Sequence, residues 1–128
     1  DKLQIPVAIL PTVASTDAPC SALSVMYTPD GKFKNYAFYS KNPDLVLVDT
    51  EVVSHAPVRM LISGIGDAMA TNIEAQDVAR GYNKSMLGES PTLASLAIAQ
   101  TCADNLFKHG AQAVAAVRPS AFIMPLPQ

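Results

Sequence analysis

Short apolar runs separated by turn residues predict strands in the first part of the chain. Residues 5–10 and 45–49 are apolar runs rich in branched side chains, and each predicts a buried strand. Residues 23–27 and 33–39 are strand-like and rich in aromatic side chains. Between them, Thr28-Pro29-Asp30-Gly31 predicts a tight turn, because proline presets φ and glycine adopts positive φ. The pattern therefore predicts two buried strands with a β-hairpin between them.

The apolar spacing becomes helical after residue 49. Pro57 suits the first turn of a helix, because the N–H group that proline lacks has no partner there. Gly64-Ile65-Gly66 predicts an interruption of this helix. Asp67 is then expected to begin a second helix that runs to about Arg80.

A third helix is predicted from an apolar stripe with a period of about 3.6 residues. We expect Ser90 to cap it, with Pro91 at its first position and Gly110 at its end. Residues 111–117 predict a short further helix. The stripe consists of Leu93, Leu96, Ala97, Ala103, Leu106 and Phe107.

Strands come first and helices follow, which predicts a junction between an α/β part and an all-α part. We place the α/β part at residues 1–50, the helical part at residues 51–117 and an irregular tail at residues 118–128.

Composition narrows the class of protein. The 128 residues are 49% hydrophobic and 16% charged, as in packed globular proteins, and a net charge of -2 favours neither nucleic acid nor an acidic membrane. The apolar runs are too short to cross a bilayer. Cys20 and Cys102 are far apart and form no CxxC pair, which argues against a zinc ribbon. We therefore expect a cytoplasmic protein with reduced thiols.

Two aspartates stand in segments rich in small residues, and each has two possible roles. Asp67 either caps a helix or is a metal ligand, and a catalytic zinc needs about three protein ligands. Asp17 follows a predicted strand and is surrounded by Ser and Thr. It either forms an Asx turn or contacts a polyol, since ligands bind at the carboxyl ends of strands in open α/β sheets. Spacing alone leaves both alternatives open.

Three segments carry a resemblance to a known family. They are residues 6–25, which contain Pro-Thr-Val-Ala-Ser-Thr-Asp-Ala-Pro-Cys-Ser, residues 42–50, and Gly64-Ile65-Gly66-Asp67-Ala68-Met69-Ala70-Thr71. In this order the segments resemble the glycerol dehydrogenases of the metal-dependent (iron-containing) alcohol dehydrogenase family. The resemblance runs from about residue 5 to residue 117.

This resemblance implies NAD-dependent oxidation of glycerol to dihydroxyacetone at a catalytic Zn²⁺. It implies that Asp67 binds the metal and that Asp17 contacts the polyol substrate. Residues 1–50 would then be the C-terminal part of an NAD-binding α/β domain. Residues 51–117 would begin a dehydroquinate synthase-like helical metal-binding domain. The positions that would line the dinucleotide site are Thr12, Ser21, Leu23 and Tyr27.

The chain also departs from the family pattern. The two histidine ligands of the family would lie beyond its end, and the Gly-rich phosphate loop would lie before its start. Asn72 stands where the family has an aromatic residue. We therefore expect a truncated part that is inactive alone. The alternatives are a degenerate member that binds a partner or itself, and a dehydrogenase of a related polyol. A homo-oligomer is expected, because faces that pack in the longer family members would otherwise be exposed.

Overall fold

A computed structural model describes residues 5–117, and within them strands precede helices as predicted. The predicted tail, residues 118–128, lies outside the described residues. In chain order the elements are β1 (Ala8–Ile9), a 3-10 turn (Ala18–Cys20), β2 (Leu23–Tyr27), β3 (Phe33–Phe38), β4 (Leu45–Val46), α1 (Thr50–Ser54), α2 (Val58–Arg80) and α3 (Leu93–Ala116).

The predicted hairpin is confirmed. Strands β2 and β3 pair antiparallel, from Leu23 opposite Phe38 to Tyr27 opposite Phe33. Gly31 has a φ of 80°, which a residue with a side chain rarely adopts. Aromatic rings pack along β3, as expected for the hairpin. Its local turn chemistry is therefore sufficient to define this element.

The two other strands form a parallel pair that is shorter and more exposed than predicted. Ala8 lies opposite Leu45 and Ile9 opposite Val46. The prediction of buried strands is wrong for the described residues, because Leu45 is 51% exposed and Leu47 is 54% exposed. Parallel strands are buried when helices cover both faces of the sheet. Among the described elements, the long helices pack mainly on each other.

Helix α2 is continuous, so the predicted interruption at residues 64–66 is wrong. Asp67 lies in the middle of the helix and not at an N-terminus, which removes the helix-capping role. Pro57 is the N-cap, one position before the helix begins. Two glycines inside a helix each cost about 1 kcal/mol relative to alanine. For Gly64 a close tertiary contact explains this cost, whereas a Cβ atom added to Gly66 would meet nothing within 4 Å.

Helix α3 begins later and ends later than predicted. Thr92, and not Ser90, is the N-cap, because its hydroxyl accepts a hydrogen bond from the amide of Ser95 while the Ser95 hydroxyl accepts one from the amide of Thr92. This reciprocal pair satisfies two amides that the helix leaves without partners. The helix then passes through Gly110 to Ala116, so both the predicted stop and the separate helix over 111–117 are wrong.

The two long helices pack antiparallel. Ile65 lies against Gly110, where an added Cβ would be 3.8 Å from the Ile65 Cδ1 atom. Farther along, the Asn72 side-chain amide donates to the Gln100 Oε1 at 3.4 Å. Among the described residues, the Asn72 Oδ1 atom is buried without a hydrogen-bond partner, which costs about 1–3 kcal/mol. Because Ile65 packs against it, Gly110 is a packing position in this helix pair.

The packed face of α3 differs from the predicted stripe. Ala99 and Ala103 are buried within α3, and Val117 is buried just after its end. Leu93, by contrast, is 89% exposed and Phe107 is 75% exposed. Ala97 is exposed as well, so three members of the stripe lie off the packed face. The buried positions within α3 are therefore all small residues, namely Ala99, Ala103 and Gly110.

Candidate active site

The loop after β1 crosses the first third of helix α2 at very short range. A Cβ atom added to Gly64 would overlap the carbonyl oxygen of Ala14 and lie 2.9 Å from its carbonyl carbon. It would also lie 3.2 Å from the carbonyl carbon of Ser15. Backbone cannot move aside as a flexible side chain can, so this approach requires glycine.

One turn farther along the same helix, the loop and α2 share a hydrogen bond. The backbone amide of Asp17 donates to the Asp67 Oδ2 atom at 3.2 Å, although the two residues are 50 positions apart in the chain. Both side chains are exposed. The structure therefore brings together the two aspartates that the sequence analysis singled out.

The alternative structural role of Asp17 is not observed. Its side chain caps no backbone amide of the following 3-10 turn. The Thr16 hydroxyl instead accepts a hydrogen bond from the amide of Ala18 at 3.1 Å. The carbonyl of Asp17 accepts one from the amide of Cys20 at 2.8 Å. Because these groups stabilise the turn, the carboxylate of Asp17 is available for another contact.

A cavity of about 340 Å³ lies between β1, the 3-10 turn and the start of the hairpin. Ser21 and Leu23, two of the predicted dinucleotide positions, line this cavity. Thr12 and Tyr27 do not line it, and Tyr27 is 62% exposed at the far end of β2. The volume lies within the usual range of small-molecule sites.

Sequence reasoning missed other residues in the walls of the cavity. Lys41 and Asn42 line it together with Tyr39. The side-chain amide of Asn42 donates to the carbonyl of Cys20 at 2.8 Å and so holds the 3-10 turn beside the hairpin. The signal that could have identified both residues is the segment Asn42-Pro43-Asp44, which Asn42 begins and Lys41 directly precedes.

A second aspartate joins distant segments in a similar way. The amide of Val7 donates to the Asp44 Oδ2 atom at 2.8 Å, and Lys41 forms an ion pair with Asp44 at 2.8 Å. The hydrogen bond from Lys41, followed by that from the Val7 amide, lowers the pKa of Asp44 below its usual range. Asp67, by contrast, forms no ion pair with any residue in the range 5–117.

The described residues do not form a complete metal site. Within residues 5–117, no three His, Cys, Asp or Glu side chains lie close enough together to hold a metal ion. A catalytic zinc requires about three protein ligands, so Asp67 would supply one ligand of such a set. Residues 5–117 also contain no helix with the length and apolar character of a membrane span.

Comparison with known proteins identifies relatives over most of the chain, although no model of a protein family matches it. The chain is 52% identical to the glycerol dehydrogenase of Thermotoga maritima over 109 residues, which are 85% of this chain and 30% of that protein. It is 48% identical to a glycolaldehyde reductase of Halobacterium salinarum over 112 residues, which are 88% of this chain and 31% of that protein.

Solved structures give the same result. The crystal structure of glycerol dehydrogenase from Schizosaccharomyces pombe matches with a TM-score of 0.84 and 45% identity, covering 94% of this chain and 32% of that one. A probable glycerol dehydrogenase from Sinorhizobium meliloti matches with a TM-score of 0.83 and 39% identity, covering 94% of this chain and 34% of that one.

The chain spans about 30% of the length of the curated relatives that it matches. Over this span, the order of strands and helices and the sequence both agree with those of the relatives. The chain therefore belongs to the glycerol dehydrogenase family.

Proposed function

We propose that this chain forms the middle part of an NAD-dependent dehydrogenase that oxidises glycerol to dihydroxyacetone at a zinc ion. The observation that carries this proposal is the hydrogen bond between the Asp17 amide and the Asp67 carboxylate. It brings the candidate substrate residue beside the candidate metal ligand, at the point where the strand region meets the helical region. Residues 1–50 would complete an NAD-binding domain, and residues 51–117 would begin a metal-binding domain.

Asp67 is the proposed metal ligand. A carboxylate oxygen is a suitable donor for Zn²⁺, and Asp67 has no cation among the described residues to compete with a metal. Asp67 would hold a metal ion whose contribution is Lewis-acid polarisation of the substrate hydroxyl, and the hydride would pass to a bound nicotinamide. The other ligands would lie outside the described residues.

Asp17 is the proposed substrate contact. Its carboxylate is exposed and takes no part in the adjacent turn, so it can accept hydrogen bonds from the hydroxyl groups of a polyol. Asp17 would therefore select and orient the substrate beside Asp67.

The cofactor is proposed to bind along the loop and the hairpin. Ser21 and Leu23 line the cavity between them. Thr12 and Tyr27 would contact more distant parts of the dinucleotide, since they lie outside that cavity.

The 128-residue chain alone is expected to bind zinc weakly and to oxidise no glycerol. One ligand of about three provides too few bonds for a stable zinc site. A test of function must therefore supply the remainder of the fold.

A chimera provides this test. Residues 5–117 of this chain would replace the matching part of the Thermotoga maritima glycerol dehydrogenase, to which the chain is 52% identical over 109 residues. NADH formation from glycerol would be followed by absorbance. Glycerol oxidation with NAD and zinc supports the proposal. A folded chimera that binds zinc and NAD but oxidises no polyol would refute it.

The substrate itself can be tested in the same chimera. One relative is a glycolaldehyde reductase, so glycolaldehyde reduction with NADH is the direct competitor reaction. A higher kcat/KM for glycolaldehyde than for glycerol would assign the chain to a related dehydrogenase in place of a glycerol dehydrogenase.

The second candidate function is an assembly module. Its supporting observation is the exposure of large apolar side chains on α3, where Leu93 is 89% and Phe107 is 75% exposed. Light scattering of the 128-residue chain would distinguish the two candidates. A stable homo-oligomer, together with an inactive chimera, would favour the module.

A further inference from the structure

We infer that the backbone amide of Asp17 orients the carboxylate of Asp67, and that Gly64 is the positioning residue that allows this bond to form. This inference rests on the proposed function only in treating Asp67 as a metal ligand. The bond itself is a property of the described residues.

The loop and the helix make two contacts that repeat with the same spacing. Ala14 meets Gly64, and three residues later in both segments Asp17 meets Asp67. Residues three positions apart in a helix lie on the same face, so both contacts belong to one face of α2. The first contact sets the distance between the segments, and the second depends on that distance.

The Gly64 contact leaves no space for a side chain. Because an added Cβ would overlap the Ala14 carbonyl oxygen, Gly64→Ala must move the loop away from the helix. The Asp17–Asp67 bond is 3.2 Å long, near the upper limit for an N–H···O bond. A shift of well under 1 Å would therefore break it.

The neighbouring Gly66 provides an internal comparison. A Cβ atom added there meets no other atom within 4 Å. Gly66→Ala therefore changes the same helix by the same methyl group without touching the loop. Comparing Gly64→Ala with Gly66→Ala therefore separates the effect of the Ala14 contact from the effect of helix propensity.

The bond fixes one oxygen of Asp67. Oδ2 accepts the Asp17 amide, while Oδ1 accepts no hydrogen bond from residues 5–117. A carboxylate held by one oxygen presents the other in a defined direction. Groups that orient a metal ligand in this way affect metal affinity by about 10–100-fold.

Asp17 would thus contribute two separate groups. Its amide orients Asp67, and its carboxylate contacts the substrate. Asp17→Ala removes only the carboxylate, whereas Asp17→Pro removes the amide as well. The φ of Asp17 is -85°, close to the range that proline adopts.

The first experiment measures amide hydrogen exchange by NMR in the ¹⁵N-labelled 128-residue chain without metal. The Asp17 amide should exchange at least about tenfold faster in Gly64→Ala and in Asp67→Ala than in the unchanged chain. It should be unchanged in Gly66→Ala. The Cys20 amide, which is bonded to the Asp17 carbonyl, provides the reference within the same loop.

The second experiment measures zinc affinity in the chimera by competition with a chelator. Asp17→Pro and Gly64→Ala should weaken zinc binding about 10–100-fold, while Asp17→Ala and Gly66→Ala should retain it. Equal affinities for Asp17→Pro and Asp17→Ala would overturn the inference. If Gly64→Ala fails to fold, this Asp17 pair decides the question alone.

The two proposals fail in different ways. If Asp67 is not a metal ligand, Asp67→Asn leaves zinc affinity unchanged while the exchange results stand. If the Asp17 amide does not orient Asp67, Asp67→Asn abolishes zinc binding while Asp17→Pro matches Asp17→Ala.

Discussion

Asp44 and Asp67 perform the same local task in two regions and differ in what else surrounds them. Each accepts a hydrogen bond from a backbone amide far away in the chain, Val7 for Asp44 and Asp17 for Asp67. Asp44 also has the ammonium group of Lys41 at 2.8 Å, and its pKa is lowered. Asp67 has no cation partner among the described residues.

Because of this difference in charge partners, we interpret Asp44 as a structural carboxylate and Asp67 as one that is available to bind a ligand. Asp44 has its charge compensated and holds β1 beside β4. Asp67 leaves a negative charge uncompensated at the contact between a loop and a helix. An uncompensated carboxylate beside a loop of small and hydroxyl residues is suited to a cation, and this supports the proposed metal role.

The largest expected effect is on catalysis. In the chimera, Asp67→Asn should lower kcat/KM for glycerol by at least about 100-fold, because the loss of even an orienting group around a metal costs about 10–100-fold. Asp44→Asn should leave kcat/KM within about threefold, because asparagine keeps an acceptor for the Val7 amide and loses only the exposed ion pair with Lys41. Steady-state kinetics measure both variants. Equal losses in the two would remove the distinction between them.

The next effect is on the stability of the region around Asp67. Gly64→Ala should lower the free energy of unfolding of the 128-residue chain by about 1–3 kcal/mol, because the added methyl group overlaps the backbone of Ala14. Gly66→Ala should raise it by about 0.5–1 kcal/mol, since it gains helix propensity without a clash. Urea unfolding followed by circular dichroism measures both. A stabilised Gly64→Ala would show that the close approach does not exist in solution.

A third carboxylate, that of Asp49, accepts hydrogen bonds only from neighbouring residues, and its loss should have a smaller effect on stability. Asp49 accepts hydrogen bonds from the amides of Glu51 and Val52 and caps α1. Asp49→Ala should cost about 1 kcal/mol of unfolding free energy, whereas Asp49→Ser should retain most of the cap. Unlike the bonds to Asp44 and Asp67, both of these are local. The same denaturation experiment applies, and equal losses for Ala and Ser would contradict the capping role.

The smallest effect is the pH dependence that Asp44 contributes. Its pKa is lower in the folded state, so the folded state favours the ionised carboxylate. That stability is fully present above about pH 4, the ordinary range of an aspartate, and is lost as the pH falls through the lowered value. The Tm of Asp44→Asn should therefore lie slightly below that of the unchanged chain near neutral pH.

The two Tm values should converge as the solution becomes more acidic. They should also converge at high salt, because the Lys41 pair is half exposed. A difference in Tm that grows on acidification would contradict this assignment.

The hairpin shows what could be predicted from sequence alone. Its turn depends on neighbouring residues, Pro29 to preset φ and Gly31 to adopt a positive φ, so its chemistry is local. The resemblance also identified the family that the relatives support. These predictions required no knowledge of which distant segments meet.

Several of the errors fall at residues whose role depends on distant contacts. Gly64 and Gly110 were both interpreted as helix breakers, yet each lies inside a helix at a site of close approach. The sequence alone does not reveal that the backbone of Ala14 contacts Gly64 or that Ile65 packs on Gly110. For the same reason Asp67 was placed at a helix end, because its position there depended on a break at Gly64.

For the candidate site as well, individual residues could be predicted from the sequence, whereas the contacts between them could not. The sequence and the resemblance singled out Asp17 and Asp67, but the bond between them spans 50 residues and required the structure. Ser21 and Leu23 both line the cavity, together with Lys41, which sequence reasoning did not single out. The roles of these residues in cofactor binding stay predictions.

Whether Asp67 binds zinc and Asp44 does not is tested most directly by zinc content. It would be measured by mass spectrometry in the purified chimera and two variants after extensive dialysis. About one zinc per subunit is expected in the chimera and in Asp44→Asn, and almost none in Asp67→Asn. Zinc retained in Asp67→Asn at the level of the other two would contradict the distinction between the two carboxylates.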